Sequence, residues 1–148
     1  MRESRRNWRA RAPVSAAFPE ETALSTPHKH NPGFLALVDD AKARVRQIDI
    51  AGYKKMAGEK HVLIDVREDH EWAAGHAAGA IHLGKGIIER DIESKVPDKS
   101  AKLVLYCGGG YRSALAADAL QKMGYTDAIS LDGGWRAWNE SGLPVEKS

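Results

Sequence analysis

Two short runs, Val62-Leu63-Ile64 and Leu103-Val104-Leu105, are apolar at every position rather than at every second one. A strand with one face in water alternates apolar and polar residues, so unbroken runs of this length suit strands buried on both faces of a parallel sheet. Other β-prone stretches fall at residues 80–83 and 128–131, the two runs extend over 61–66 and 102–106, and residues 45–48 offer a fifth, weaker strand. Helical patterns lie between them, at residues 50–57, 68–74, 87–95 and 113–123. Strands alternating with helices predict α/β layering. The clearest helix carries Leu115 and Ala119 on one line and Ala116, Leu120 and Met123 on the next, with Gly124 placed as its stop. Trp135 and Trp138, three apart, predict a last helix anchored to the core.

A chain of 148 residues is expected to build one core. Its longest apolar runs, residues 34–38 and 103–107, have five residues each, against about 18 for a spanning helix, so no membrane-spanning segment is expected. Cys107 is the single cysteine, which excludes an internal disulfide, an all-cysteine zinc site and an iron–sulfur cluster held by this chain alone. An unpaired thiol suits a reducing compartment, and the cytoplasm is the expected location.

The net charge of +2 is uneven: residues 1–19 carry +4 and the remainder −2. Residues 1–33, Arg-rich and then rich in Pro, Ser, Thr and His, read as a flexible arm, and residues 34–148 as the folded domain. The arm lacks the interleaved aromatics of a nucleic-acid-binding segment, so no nucleic-acid partner is expected. Arg5-Arg6 resembles a twin-arginine signal without the apolar stretch that would follow one, while the Arg enrichment would also suit a transit peptide. His28 and His30 lack further ligands, and no metal site is expected.

The segment from Leu103 to Ser113 carries the chemistry. It reads as a buried strand, the thiol of Cys107 at its carboxyl end, the glycines 108–110, then Tyr111, Arg112 and a helix. Ligands of open α/β sheets gather at that edge. Three glycines leave the amides of residues 108–112 free to converge on the sulfur beside a helix N-terminus. Thiols in such settings have pKa values of about 3.5 to 7.5, so the loop is expected to make Cys107 nucleophilic. Arg112 opposes the helix dipole unless it serves an anion, which predicts a guanidinium facing the loop. The expectation has two conditions: loop N–H groups turned toward the sulfur, and a side chain not sealed beneath other atoms.

Four segments, in order Asp65-Val66-Arg67-Glu68, Gly75-His76-Ala77-Ala78-Gly79-Ala80-Ile81-His82, Cys107-Gly108-Gly109-Gly110-Tyr111-Arg112-Ser113 and Gly133-Gly134-Trp135, together resemble the rhodanese, or sulfurtransferase, homology domain over residues 45–143. Ala77-Ala78 departs from the Ile-Pro frequent in that family. The resemblance implies a five-stranded parallel sheet flanked by helices on both faces and a single catalytic domain. It implies that Cys107 forms a persulfide, with a sulfur donor such as thiosulfate, and with cyanide, a small thiol or another protein's cysteine as acceptor. No metal or organic cofactor is implied. It extends to cysteine phosphatases and arsenate reductases, whose loops usually hold five residues between Cys and Arg; residues 108–111 make four here, which favours sulfur over a tetrahedral oxyanion. Arg112 and the lack of an acidic loop residue favour thiosulfate over mercaptopyruvate. A non-turnover sulfur carrier or partner-binding module is the alternative.

Asp65, Arg67 and Ser113 are expected to support the site. Asp65 is expected either to accept from loop amides or to cap the helix beginning near Glu68, and Arg67 either to add positive potential at the pocket or to join a salt bridge, with Glu68 or between helices. Ser113 opens the helix beside the thiol. His76 and His82 are expected to fix turns, since a preformed thiolate needs no base, and Trp72, Trp135 and Trp138 to pack.

Overall fold

The computed structural model describes residues 30–147, so the Arg-rich arm up to residue 29, with Arg5-Arg6 and His28, lies outside the described residues. The chain divides between Leu35 and Ala36, and the described residues before that point lead into a helix. In chain order the elements are α1 (Pro32–Lys42), β1 (Arg46–Ile48), α2 (Ile50–Met56), β2 (Val62–Asp65), α3 (Asp69–Ala74), β3 (His76–Ala77), β4 (Ile81–His82), α4 (Ile88–Lys95), β5 (Leu103–Tyr106), α5 (Tyr111–Lys122), β6 (Ala128–Leu131), α6 (Gly134–Glu140) and β7 (Val145–Glu146). All five expected strands and the five expected helices form, with ends displaced by two residues at most.

The main sheet has five strands in the order β1-β6-β5-β2-β4, each neighbour pair parallel. Its side chains explain the unbroken apolar runs. Successive residues of a strand point to opposite faces, and along β5 Leu103 and Leu105 enter one buried cluster while Val104 and Tyr106 enter another. The first cluster is completed by Ile88 and Ile92 of α4 and by Ala116, Ala117 and Leu120 of α5, the second by Tyr53 and Met56 of α2 and Trp138 of α6. The sheet is therefore covered on both faces. Among the described residues no helix is long and apolar enough to cross a membrane.

Local chemistry sets the element ends. Asp49 caps α2 by accepting from the Gly52 N–H at 2.7 Å. Gly124, at φ 104°, stands just beyond α5 as expected. Two features were not expected. Helix α1 starts at Pro32, inside the stretch read as arm, and buries Val38 and Ala41. The two-residue strands β3 and β7 pair antiparallel, too short to leave a periodic pattern in the sequence.

Candidate functional site

Cys107 is the first residue beyond β5, at the carboxyl edge of the sheet and next to the aligned pair Asp65 and Tyr106. The loop that follows reaches α5 through Gly110, whose φ of 107° is one that residues with a Cβ rarely adopt. The Gly110 N–H donates to the Cys107 Sγ at 3.1 Å. On its other side the sulfur lies 3.6 Å from the Ser113 Oγ, which is itself 2.8 Å from the Ser130 Oγ. Both serines are fully buried, so this chain of polar atoms fixes the sulfur from within the core.

The amide orientation is imposed from outside the loop. The N–H groups of Trp135, Arg136 and Gly133 donate to the carbonyls of Cys107, Gly108 and Gly109 at 2.6, 3.2 and 3.3 Å. A trans peptide unit points its C=O and its N–H in opposite directions. Drawing three successive carbonyls toward the start of α6 therefore turns the N–H groups of residues 108–110 the other way, and the last of them meets the sulfur. This contact needs glycine at position 134: a Cβ there would stand within 3.0 Å of the Gly108 carbonyl carbon and nearer still to the Cys107 oxygen. Trp135, expected only to pack, thus also holds the loop through its backbone.

Arg112 lies over the loop, as expected. A Cβ on Gly108 would come within 3.2 Å of its Nη2. Its guanidinium also has a partner that sequence reasoning missed: Nη1 donates to Glu71 Oε1 at 2.9 Å and Nη2 to Glu71 Oε2 at 3.4 Å. Hydrogen bonding to Glu71 raises the Arg112 pKa, and burial opposes this. Burial pushes the Glu71 carboxyl up, but Arg112 and the Glu68 N–H, 3.0 Å from Oε1, bring it below its ordinary value. Glu71 caps α3 from its first turn, a signal readable as Glu three residues after Glu68, yet no spacing announces a contact across 41 positions. Tyr111 lies with its ring centroid 4.7 Å from the Lys42 Nζ.

Asp65 accepts from one loop amide, that of Arg67, and Arg67 joins a salt bridge as one reading expects, but its partner is Asp65 rather than Glu68 or a helix. Arg67 Nε lies 3.1 Å from both Asp65 oxygens and Nη2 2.8 Å from Oδ2, while Nη2 also donates to the Gly75 carbonyl at 2.6 Å. Asp65 accepts in addition from the Arg67 N–H at 2.8 Å and the Tyr106 hydroxyl at 2.6 Å. Its acceptor capacity is taken up by this brace rather than by the amides of the Cys107 loop, and α3 is capped by Glu68 and Glu71 instead of Asp65. Arg67 is buried beneath Trp135, its guanidinium carbon 4.6 Å from that ring, so it pairs with Asp65 rather than with Glu68 or the pocket. Burial lowers the Arg67 pKa, but Asp65 outweighs it and the group is held charged. The brace ties the ends of β2 and β5 together one residue before the thiol.

His76 and His82, expected to fix turns, lie in β3 and β4, and each ring bonds a main-chain carbonyl of a preceding segment. His76 Nδ1 is 3.0 Å from the Trp72 carbonyl and His82 Nε2 is 2.8 Å from the Arg67 carbonyl, with Trp72 stacked on both rings. Among the described residues no cluster of His, Cys, Asp or Glu could hold a metal ion. Of the two conditions placed on the loop, the first is met by Gly110. The second is not met in this arrangement: Cys107 is only 1% exposed. Sulfur chemistry there requires the groups over the loop to give way.

A family model for the rhodanese-like domain matches residues 50–141. The chain is 42% identical over 90 residues to the "Probable adenylyltransferase/sulfurtransferase MoeZ" of Mycobacterium tuberculosis, which covers 60% of this chain and only 22% of that protein. It is 30% identical over 102 residues to the "Thiosulfate sulfurtransferase GlpE" of Vibrio cholerae, covering 68% of this chain and 94% of that one. Among solved structures, a Rhodopseudomonas palustris protein of unknown function, described as a "Possible Tyrosine Phosphatase", superposes with a TM-score of 0.67 at 28% identity, covering 82% of this chain and all of that one.

Proposed function

This chain belongs to the rhodanese-like domain family, and from that premise we propose that it is a sulfurtransferase carrying sulfane sulfur on Cys107 from thiosulfate, or a similar donor, to cyanide or a thiol. The observation that carries this reading is the Gly110 N–H held 3.1 Å from the Cys107 sulfur by a loop whose three preceding carbonyls are bonded elsewhere.

The chemistry follows from that geometry. The Cys107 thiolate attacks the outer sulfur of thiosulfate, a sulfur–sulfur bond forms to the protein, and the donor's own sulfur–sulfur bond breaks with its electron pair leaving on sulfite. The terminal persulfide sulfur keeps the negative charge, which the N–H groups of residues 108–110, the start of α5 at Tyr111 and the Arg112 guanidinium are placed to stabilise. Ser113 holds the inner sulfur while the outer one changes partners. Asp65 and Arg67 act at one remove, by fixing the strand ends from which the loop departs. Attack by cyanide or an acceptor thiolate on the terminal sulfur restores Cys107. Charge balances at each step, and neither metal nor organic cofactor takes part. Acceptors include small thiols and a cysteine of another protein, which suits a reducing compartment such as the cytoplasm.

The 1% exposure of Cys107 favours a second reading, a sulfur carrier or partner-binding module whose thiol opens only against its partner. Thiocyanate formation from thiosulfate and cyanide separates the two. The enzyme reading expects steady turnover, abolished in Cys107→Ser; a single stoichiometric burst without turnover would support the carrier. Hydrolysis of an aryl phosphate through Cys107 would overturn both in favour of a phosphatase.

A further inference from the structure

Arg112 lies over the loop that follows Cys107, where a Cβ on Gly108 would come within 3.2 Å of its Nη2, and it is already engaged by both oxygens of Glu71. The pair is half-buried, its side chains 31% and 28% exposed, so its charges are screened only in part. Glu71 is itself fixed, because Oε1 accepts from the Glu68 N–H at the start of α3. An anion arriving at the loop therefore meets a guanidinium already paired with a carboxylate that does not swing freely away. Each negative charge the donor brings is opposed by Glu71.

We propose that Glu71 determines donor specificity: its carboxylate, paired with Arg112 over the loop, makes the site disfavour doubly charged thiosulfate relative to singly charged thiosulfonates. The proposal rests on the sulfurtransferase reading and names its donor class. With a thiosulfonate the same step balances: the Cys107 thiolate bonds to the terminal sulfur, the bond from that sulfur to the sulfonyl group breaks, and a sulfinate departs with the electron pair. No proton, oxidant or reductant enters.

Methanethiosulfonate is the matched probe, since a methyl group replaces one charged oxygen of thiosulfate at nearly the same size. The experiment measures kcat and KM for both donors at saturating cyanide, in the full chain and in Glu71→Gln. Glutamine serves in a capping box as glutamate does, so α3 keeps its cap. Removing one like charge a few ångströms from a partly exposed site is expected to raise the ratio of thiosulfate to methanethiosulfonate kcat/KM about fivefold. The change should appear in the KM for thiosulfate, with kcat nearly unmoved. Glu71→Asp, which keeps the charge but withdraws it by one methylene, should move the ratio the same way by less, and supplies the test if the glutamine variant folds poorly. In an Arg112→Gln background the further change Glu71→Gln should raise the ratio at least as far, because the carboxylate then acts on the donor without the guanidinium beside it. A wild-type chain that uses both donors with a ratio insensitive to Glu71, or a ratio that Glu71→Gln leaves unmoved in the Arg112→Gln background, overturns the proposal alone. A chain that uses neither donor overturns the sulfurtransferase reading and the proposal with it.

Discussion

Gly134→Ala probes the device that turns the loop amides. Gly134 has φ 49° and Gly142 has φ 80°, so an alanine at either position pays the left-handed penalty of about 1–2 kcal/mol. Gly142 faces open space, whereas a Cβ at 134 invades the Cys107 carbonyl and the Gly108 carbonyl carbon. Relief requires α6 to move off the loop, breaking the Trp135 N–H bond to the Cys107 oxygen, 2.6 Å in the native chain. A buried peptide group left without its partner costs a further ~1–3 kcal/mol. The total is about 2–5 kcal/mol for Gly134→Ala against about 1–2 for Gly142→Ala. With a urea m-value near 2 kcal/mol per molar, the midpoint should fall by roughly 1–2.5 M in the first variant and by less than about 1 M in the second. Sulfur loading of the still-folded Gly134→Ala protein from thiosulfate should drop roughly tenfold, since the loop amides lose their imposed direction. Equal midpoints for the two variants, or unimpaired loading, would refute the account of how the loop is set.

Two other perturbations follow from the buried brace. Arg67→Met leaves the Asp65 carboxylate without its cation, both side chains being under 5% exposed, and should cost about 3–5 kcal/mol in urea unfolding, while adding Asp65→Asn should recover part of the loss; a double variant weaker than the sum of the singles would contradict the pairing. Tyr106 has its pKa raised by burial and by its bond to Asp65, so the folded chain keeps this phenol protonated where the unfolded chain ionises it. The sign follows: its contribution is intact below the ordinary tyrosine value of about 10 and declines as pH rises above it, by about 1.4 kcal/mol per pH unit. Stability of Tyr106→Phe, measured from pH 9 to 11, should fall less steeply than that of the wild type, and parallel slopes would be the contrary result.

Much of this was legible because the sheet is buried on both faces. Apolar runs at 62–64 and 103–105 have no other easy reading, and a lone thiol followed by glycines and an arginine places itself at a strand end. Helix α1 was less legible, since Leu37 in its middle is 62% exposed and only Val38 and Ala41 are buried. Its start was signalled by Asn31 before Pro32, a favourable cap and first-turn pair that carried no apolar periodicity to support it. The glycines of the loop looked equivalent and are not. Gly110 is required by its backbone angle and a Cβ on Gly108 would press on the end of the Arg112 side chain, whereas a Cβ on Gly109 would meet nothing within 4 Å. The Glu71 partner of Arg112 and the carbonyl contacts from α6 depend on which loops meet at the sheet edge, information that local spacing does not hold.

The central claim, that Cys107 accepts sulfur under a cradle of backbone amides, is met most directly by weighing the intact chain after exposure to thiosulfate. The account predicts a gain of one sulfur atom, lost on adding cyanide and absent from Cys107→Ser. An unchanged mass in the wild type, or the same gain in Cys107→Ser, would contradict it.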